Sequence, residues 1–152
     1  MLDVLRFVTV CLMGIASGVN IMWIVAILPA LRLIGPGEAL RVKQMLDPRV
    51  DRFQPQSVAL ALAAGIAILF WSLTTTQYVC TAIGIAGALG VAVTSFGFNV
   101  PINKVVATWS PDAVPSEFPE KLARWSRFHV VRTFFTVVSA VGYLLAVLVD
   151  VS

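Results

Sequence analysis

Residues 116–149 read SEFPEKLARWSRFHVVRTFFTVVSAVGYLLAVLV. Glu117–Lys121 and Glu120–Arg124 are i,i+4 pairs with the acid first, the order that supports a helix. Ser116 suits a capping position, followed by an early acid and a proline that the first turn tolerates. The apolar part, 130–149, is about 20 residues long, the length that crosses the hydrocarbon core of a bilayer. A polar stripe nevertheless runs into it: Trp125, His129, Arg132, Thr136, Ser139 and Tyr143. The steps are four, three, four, three and four, one face of an α-helix. Lipid has no use for such a face, so it must look into protein or water. His129 is the only histidine of the chain.

Composition widens this reading to the whole molecule. Of 152 residues 59% are hydrophobic and 12% charged, and the mean hydropathy is +0.90. A soluble domain is about a quarter charged. The deficit points to an integral membrane protein, with one small helical bundle as its limit. Apolar stretches recur at 7–31, 58–76, 79–99 and within 116–149. The second is short and needs Thr74 to Thr76 to complete it. The expected fold is therefore all-α: a transmembrane four-helix bundle, one domain over 1–152. A cleaved signal peptide is the rival reading of the first stretch. It is too long for an h-region and lacks an Ala-x-Ala site. Asn20 and Gly14-x-x-x-Gly18 suit a packed helix better.

Charge orients the bundle. Arg32, Arg41, Lys43, Arg49, Arg52, Lys104, Lys121, Arg124 and Arg127 fall in 32–56 and 100–127, and only Arg6 lies on the other side. The positive-inside rule puts both long loops in the cytoplasm and both termini outside, with the bacterial inner membrane as the expected location. This bias accounts for the net charge of +3 without nucleic acid. The expected partners are the lipid bilayer, a small apolar or aromatic ligand and, as an open alternative, further copies of the chain.

Between the first two stretches, 38–47 reads as a short amphipathic helix on the cytoplasmic surface. Ala39, Val42 and Leu46 share a face, Arg41, Lys43 and Gln44 turn away, and Asp47-Pro48 ends it. Thr74 to Tyr78 is a tight connection, so the second and third stretches are antiparallel neighbours. Gly84, Gly87 and Gly90 offer close helix approach and no nucleotide loop. Cys11 and Cys80 read as small packing residues, although a bridge is conceivable.

Chemistry is expected at the cytoplasmic boundary. Asn99 and Asn103 bracket Pro101, which breaks the helix ladder at the depth of His129 and Arg132. An arginine deep in a membrane helix costs ~2.5–3.5 kcal/mol on the mild scale, unless it snorkels. Taken singly, each residue has a plain explanation: an interfacial anchor for Arg132, a hydrogen-bonded side chain for His129, caps for the asparagines. A single histidine without Cys-x-x-Cys supplies no metal set, so no metal is expected, and haem has no supporting motif though one axial histidine remains. Asn20 should face the bundle interior.

Asn99-x-Pro101-x-Asn103, Trp109 and Arg124-Trp125-x-x-x-His129-x-x-Arg132-Thr133 together resemble the signature of small four-helix membrane proteins related to anthrone oxygenases. Gly14, Pro29-Ala30 and Gln44-Met45 fit more loosely, and Asp47 stands where the resemblance leads one to expect asparagine. The resemblance implies oxidation of an activated aromatic methylene by molecular oxygen, without metal or flavin. It implies His129 as general base, Arg132 holding the phenolate, Asn99 and Asn103 orienting the substrate, and Trp125 stacking on it. Asn20, read apart from the resemblance, is a further candidate for bonding a ligand or another helix. The alternative is a non-enzymatic membrane protein that binds a lipid or quinone at the same cluster.

Overall fold

A computed structural model describes residues 1–71 and 73–149. These residues are almost entirely helical. In chain order they form α1 (Leu2–Met22), a π-helical turn (Trp23–Ile27), α2 (Leu28–Leu31), α3 (Pro36–Ile68), α4 (Thr75–Thr94), a second π-helical turn (Ser95–Asn99), α5 (Val100–Val106) and α6 (Phe118–Leu148). Three continuous helical spans are long and apolar enough to cross a membrane: Leu2–Leu31, Thr75–Val106 and Phe118–Leu148. Their outer faces are apolar, with Val25, Phe96 and Phe134 exposed.

The two π-helical turns have one physical cause. Each ends two residues before a proline, Pro29 or Pro101. Proline has no N–H and its ring crowds the carbonyl four residues back, here Val25 or Gly97. A wider turn relieves both problems. Leu28 N–H reaches the Trp23 carbonyl and Val100 N–H that of Ser95, each five residues back. The helices therefore continue past prolines that the sequence pattern reads as breaks. The same holds for α3, where Pro48 and Pro55 lie inside one 33-residue helix. The separate helix expected at 38–47 and the stretch from 58 are parts of this single rod, which stops at Ile68.

Other ends differ in detail. Thr74 begins α4 through a capping box with Gln77. Ser116 does not cap α6, whose N-cap is Glu117 without a side-chain hydrogen bond.

Glycine sets the spacing of α4 and α6. A Cβ on Gly87 would lie 2.6 Å from the Ser139 backbone nitrogen, and one on Gly142 2.6 Å from that of Gly84. Across this seam Ser139 Oγ donates to the Gly84 carbonyl at 2.7 Å, and Tyr143 Oη reaches the Ala61 carbonyl of α3 at 3.1 Å. Gly14 and Gly18 do the opposite of what their spacing implies. A Cβ on either meets nothing within 4 Å, so this pair does not pack inside the chain. Cys11 and Cys80 are free thiols.

Candidate functional site

All six members of the α6 stripe are buried, none more than 4% exposed. The wide turns supply what faces them. Trp23, in the first π-helical turn, packs against Trp125 with ring centroids 5.1 Å apart. Asn99, in the second, donates through Nδ2 to the Trp125 carbonyl at 3.1 Å. The sequence places Asn99, Asn103, Trp125, His129 and Arg132 at one boundary and Asn20 only in the bundle interior; the structure brings Asn20 to them, its carbonyl 3.0 Å from His129 Nε2.

His129 is fully buried and both ring nitrogens are occupied. Nε2 lies 3.0 Å from the Asn20 carbonyl, and Nδ1 lies 2.7 Å from Arg132 Nη2. A carbonyl only accepts and a guanidinium only donates, so the ring is neutral with its proton on Nε2. The same asparagine donates to Thr136 Oγ1 at 3.0 Å and accepts from Gln54 Nε2. Thr136 in turn donates to the Arg132 carbonyl at 2.8 Å. The Arg132 guanidinium itself is held by one hydrogen bond, from Nη2 to His129 Nδ1, and its buried Nε has no acceptor among the described residues.

A second polar stripe comes from α3. Lys43, Asp47, Asp51 and Gln54 follow steps of four, four and three. Lys43 is fully buried, contrary to the expectation that it turns to solvent. Its Nζ donates to Asp47 Oδ2 at 2.8 Å and to Asn103 Oδ1 at 3.2 Å, and lies 3.8 Å from the Trp125 ring centroid. Burial lowers the Lys43 ammonium below the usual lysine range and raises the Asp47 carboxyl above the usual carboxylate range, each partner's charge opposing the other's shift. Asn103 also donates through Nδ2 to Asp51 Oδ2 at 3.3 Å. Gln44, beside Lys43, donates to the carbonyls of Val106 and Trp109 at 2.9 Å and ties α3 to the end of α5.

Two cavities open beside this network. The larger, about 400 Å³, is bounded by α3, α4, the second π-helical turn and Arg132. Its walls are apolar (Val58, Leu62, Val91, Phe96), with Asp51, Gln54 and Arg132 as the polar end. The smaller, about 240 Å³, lies between α3 and α5 and is lined by Gln44, Asp47, Asp51, Asn103 and Lys104. Of the six residues picked from the sequence, Arg132 alone lines the larger cavity and Asn103 the smaller. Asn20, Asn99, Trp125 and His129 form the layer behind. Trp125 is already engaged, stacked on His129 at 4.7 Å and 13°. Among the described residues, no three His, Cys, Asp or Glu side chains are grouped to hold a metal ion.

Residues 46–142, which carry most of this network, match the family model described as anthrone oxygenase. The chain belongs to the anthrone oxygenase family. No curated protein and no solved structure matches it. The family segment takes in Asp47, Asp51, Gln54, Asn99, Asn103, Trp125, His129 and Arg132, while Asn20, Trp23 and Lys43 lie outside it. Trp23, Lys43, Asp47, Asp51 and Gln54 escaped the sequence reading. Their signal was present: the α3 stripe has helical spacing, visible once the helix is allowed to run through Pro48.

Proposed function

We propose that the protein is a membrane-embedded oxygenase that converts the activated methylene of an anthrone-type aromatic ketone to a carbonyl. Molecular oxygen is the oxidant, and neither metal nor organic cofactor takes part. The observation that carries this reading is the larger cavity: apolar walls around about 400 Å³, with a positioned guanidinium at one end. That volume lies within the range of small-molecule sites. Flat rings fit such walls, and the substrate oxygen meets Arg132. On loss of the methylene proton, negative charge develops on that oxygen. A guanidinium held in place in a low-dielectric site stabilises it without reorganising. The anion then reduces oxygen directly. Overall one methylene and one O2 give one carbonyl and one water.

In this reading His129 is a positioning residue. Its lone pair accepts from Arg132, so the ring fixes the guanidinium instead of taking the substrate proton as the resemblance implies. Asn20 and Asn99 fix His129 and the Trp125 backbone in turn, and Trp125 packs the layer that excludes water. The fourth crossing is the apolar half of α3. The long loops face the cytoplasm, in keeping with the distribution of Lys and Arg. The lipid bilayer surrounds the bundle, and the bacterial inner membrane is the proposed location.

Oxygen uptake with an anthrone tests the reading. Ala59→Trp places bulk in the cavity wall and should slow quinone formation while the melting temperature holds. Full activity in that variant would place the reaction elsewhere. A quinone that binds without any oxygen uptake by its anthrone would favour a binding protein.

A further inference from the structure

The oxygenase reading requires a base that touches the substrate chamber, and neither nitrogen of His129 is free to serve. Asp51 is differently placed. It lines the larger cavity and also the smaller one, so its carboxylate stands where an apolar chamber meets a polar one. Oδ2 accepts from Asn103. Among the described residues no donor meets the other oxygen, and no cation lies within 4 Å to lock it in an ion pair. Arg132 of α6 and Lys43 of α3 act on it only at longer range. Pro55 follows four residues later and has no N–H, so the Asp51 carbonyl also lacks its normal helical donor.

Resting on that reading, we propose that Asp51 is the proton shuttle of the oxidation, taking the methylene proton in the larger cavity and exchanging it with water through the smaller. The C–H bond breaks, its electron pair stays in the ring system as the anthrolate held by Arg132, and the proton goes to the Asp51 carboxylate. Oxygen adds at the carbanion carbon and is reduced to the peroxide level, and Asp51 returns the proton to the terminal peroxide oxygen. The second C–H proton then passes to Asp51 as the O–O bond breaks. The carbonyl forms, and the leaving hydroxide collects that proton as water. Asp51 ends as it began.

Proton removal can be read without oxygen. The full-length wild-type protein, kept anaerobic in D2O with anthrone, should speed loss of the methylene proton signal by NMR. Asp51→Asn should slow this protein-dependent exchange about 100-fold or more, the scale of general acid–base catalysis. It should still bind anthraquinone, seen as tryptophan quenching. Asp51→Ala is the second variant, should the first fail to fold, and added acetate should restore part of its exchange. Either folded variant exchanging at the wild-type rate overturns the shuttle, even if wild-type protein oxidises anthrone in air. Wild-type protein that neither exchanges nor oxidises anthrone overturns the oxygenase reading as well.

Discussion

Replacing Lys43 with methionine isolates the feature of this site that is most exposed to energetic test. The ammonium is fully buried and makes two hydrogen bonds, to Asp47 at 2.8 Å and Asn103 at 3.2 Å, beside its contact with the Trp125 ring. Lys43→Met replaces the side chain by an unbranched apolar one that is a single atom shorter, and leaves Asp47, only 8% exposed, without its cation. Removing one partner of a buried ion pair costs about 3–5 kcal/mol. For a chain of this size each kcal/mol moves the midpoint by roughly 2–4 °C, so the variant should melt some 6–20 °C lower. Lys43→Met with Asp47→Leu removes both charges and should recover most of that loss, because well-packed apolar pairs replace buried ion pairs at little or no cost. Thermal unfolding of the purified variants in one detergent measures both. A single variant that melts within about 2 °C of wild type, or a double variant no more stable than the single, would refute the pairing argument.

Further expectations follow from the same geometry. His129→Ala leaves Arg132 Nη2 and the Asn20 carbonyl without their partner, a loss of about 1–3 kcal/mol for each buried group. It should abolish quinone formation while the protein still folds; wild-type turnover would remove His129 from the site. Gly87→Leu forces α4 from α6 and should depress the yield of folded protein, whereas Gly14→Leu, facing open space, should leave it unchanged. Equal yields for the two would contradict the seam. Pro101→Ala removes the cause of the wide turn, so the turn should tighten and rotate Asn99 away from the Trp125 carbonyl. The check is faster amide exchange at α5 together with lower turnover.

The sequence conveyed the helical class and the polar face of α6 with good resolution. A four–three spacing survives folding unchanged, and the six residues of that stripe are buried together. Its misplaced helix breaks share a source, the treatment of proline as punctuation. Pro29, Pro48, Pro55 and Pro101 all sit within continuous helical rods. Two are absorbed by π-helical turns, which a local rule does not anticipate because the compensating packing is tertiary. Ending the first loop helix at Asp47-Pro48 concealed the stripe that begins with Lys43. A lysine read as a solvated charge is instead buried and paired with Asp47, and it donates a second hydrogen bond to Asn103, 60 residues away. The cavities depend on how three helices diverge, for which no residue pattern stands.

Oxygen uptake and quinone formation by the purified wild-type protein and Arg132→Gln, with an anthrone as substrate and no cofactor added, test the central claim most directly. The expected result is protein-dependent turnover with about one quinone per O2 consumed, slowed about 10²–10³-fold in the variant, the usual effect of losing a donor to a developing oxyanion. Quinone formation no faster than without protein, or Arg132→Gln at the wild-type rate, would contradict it.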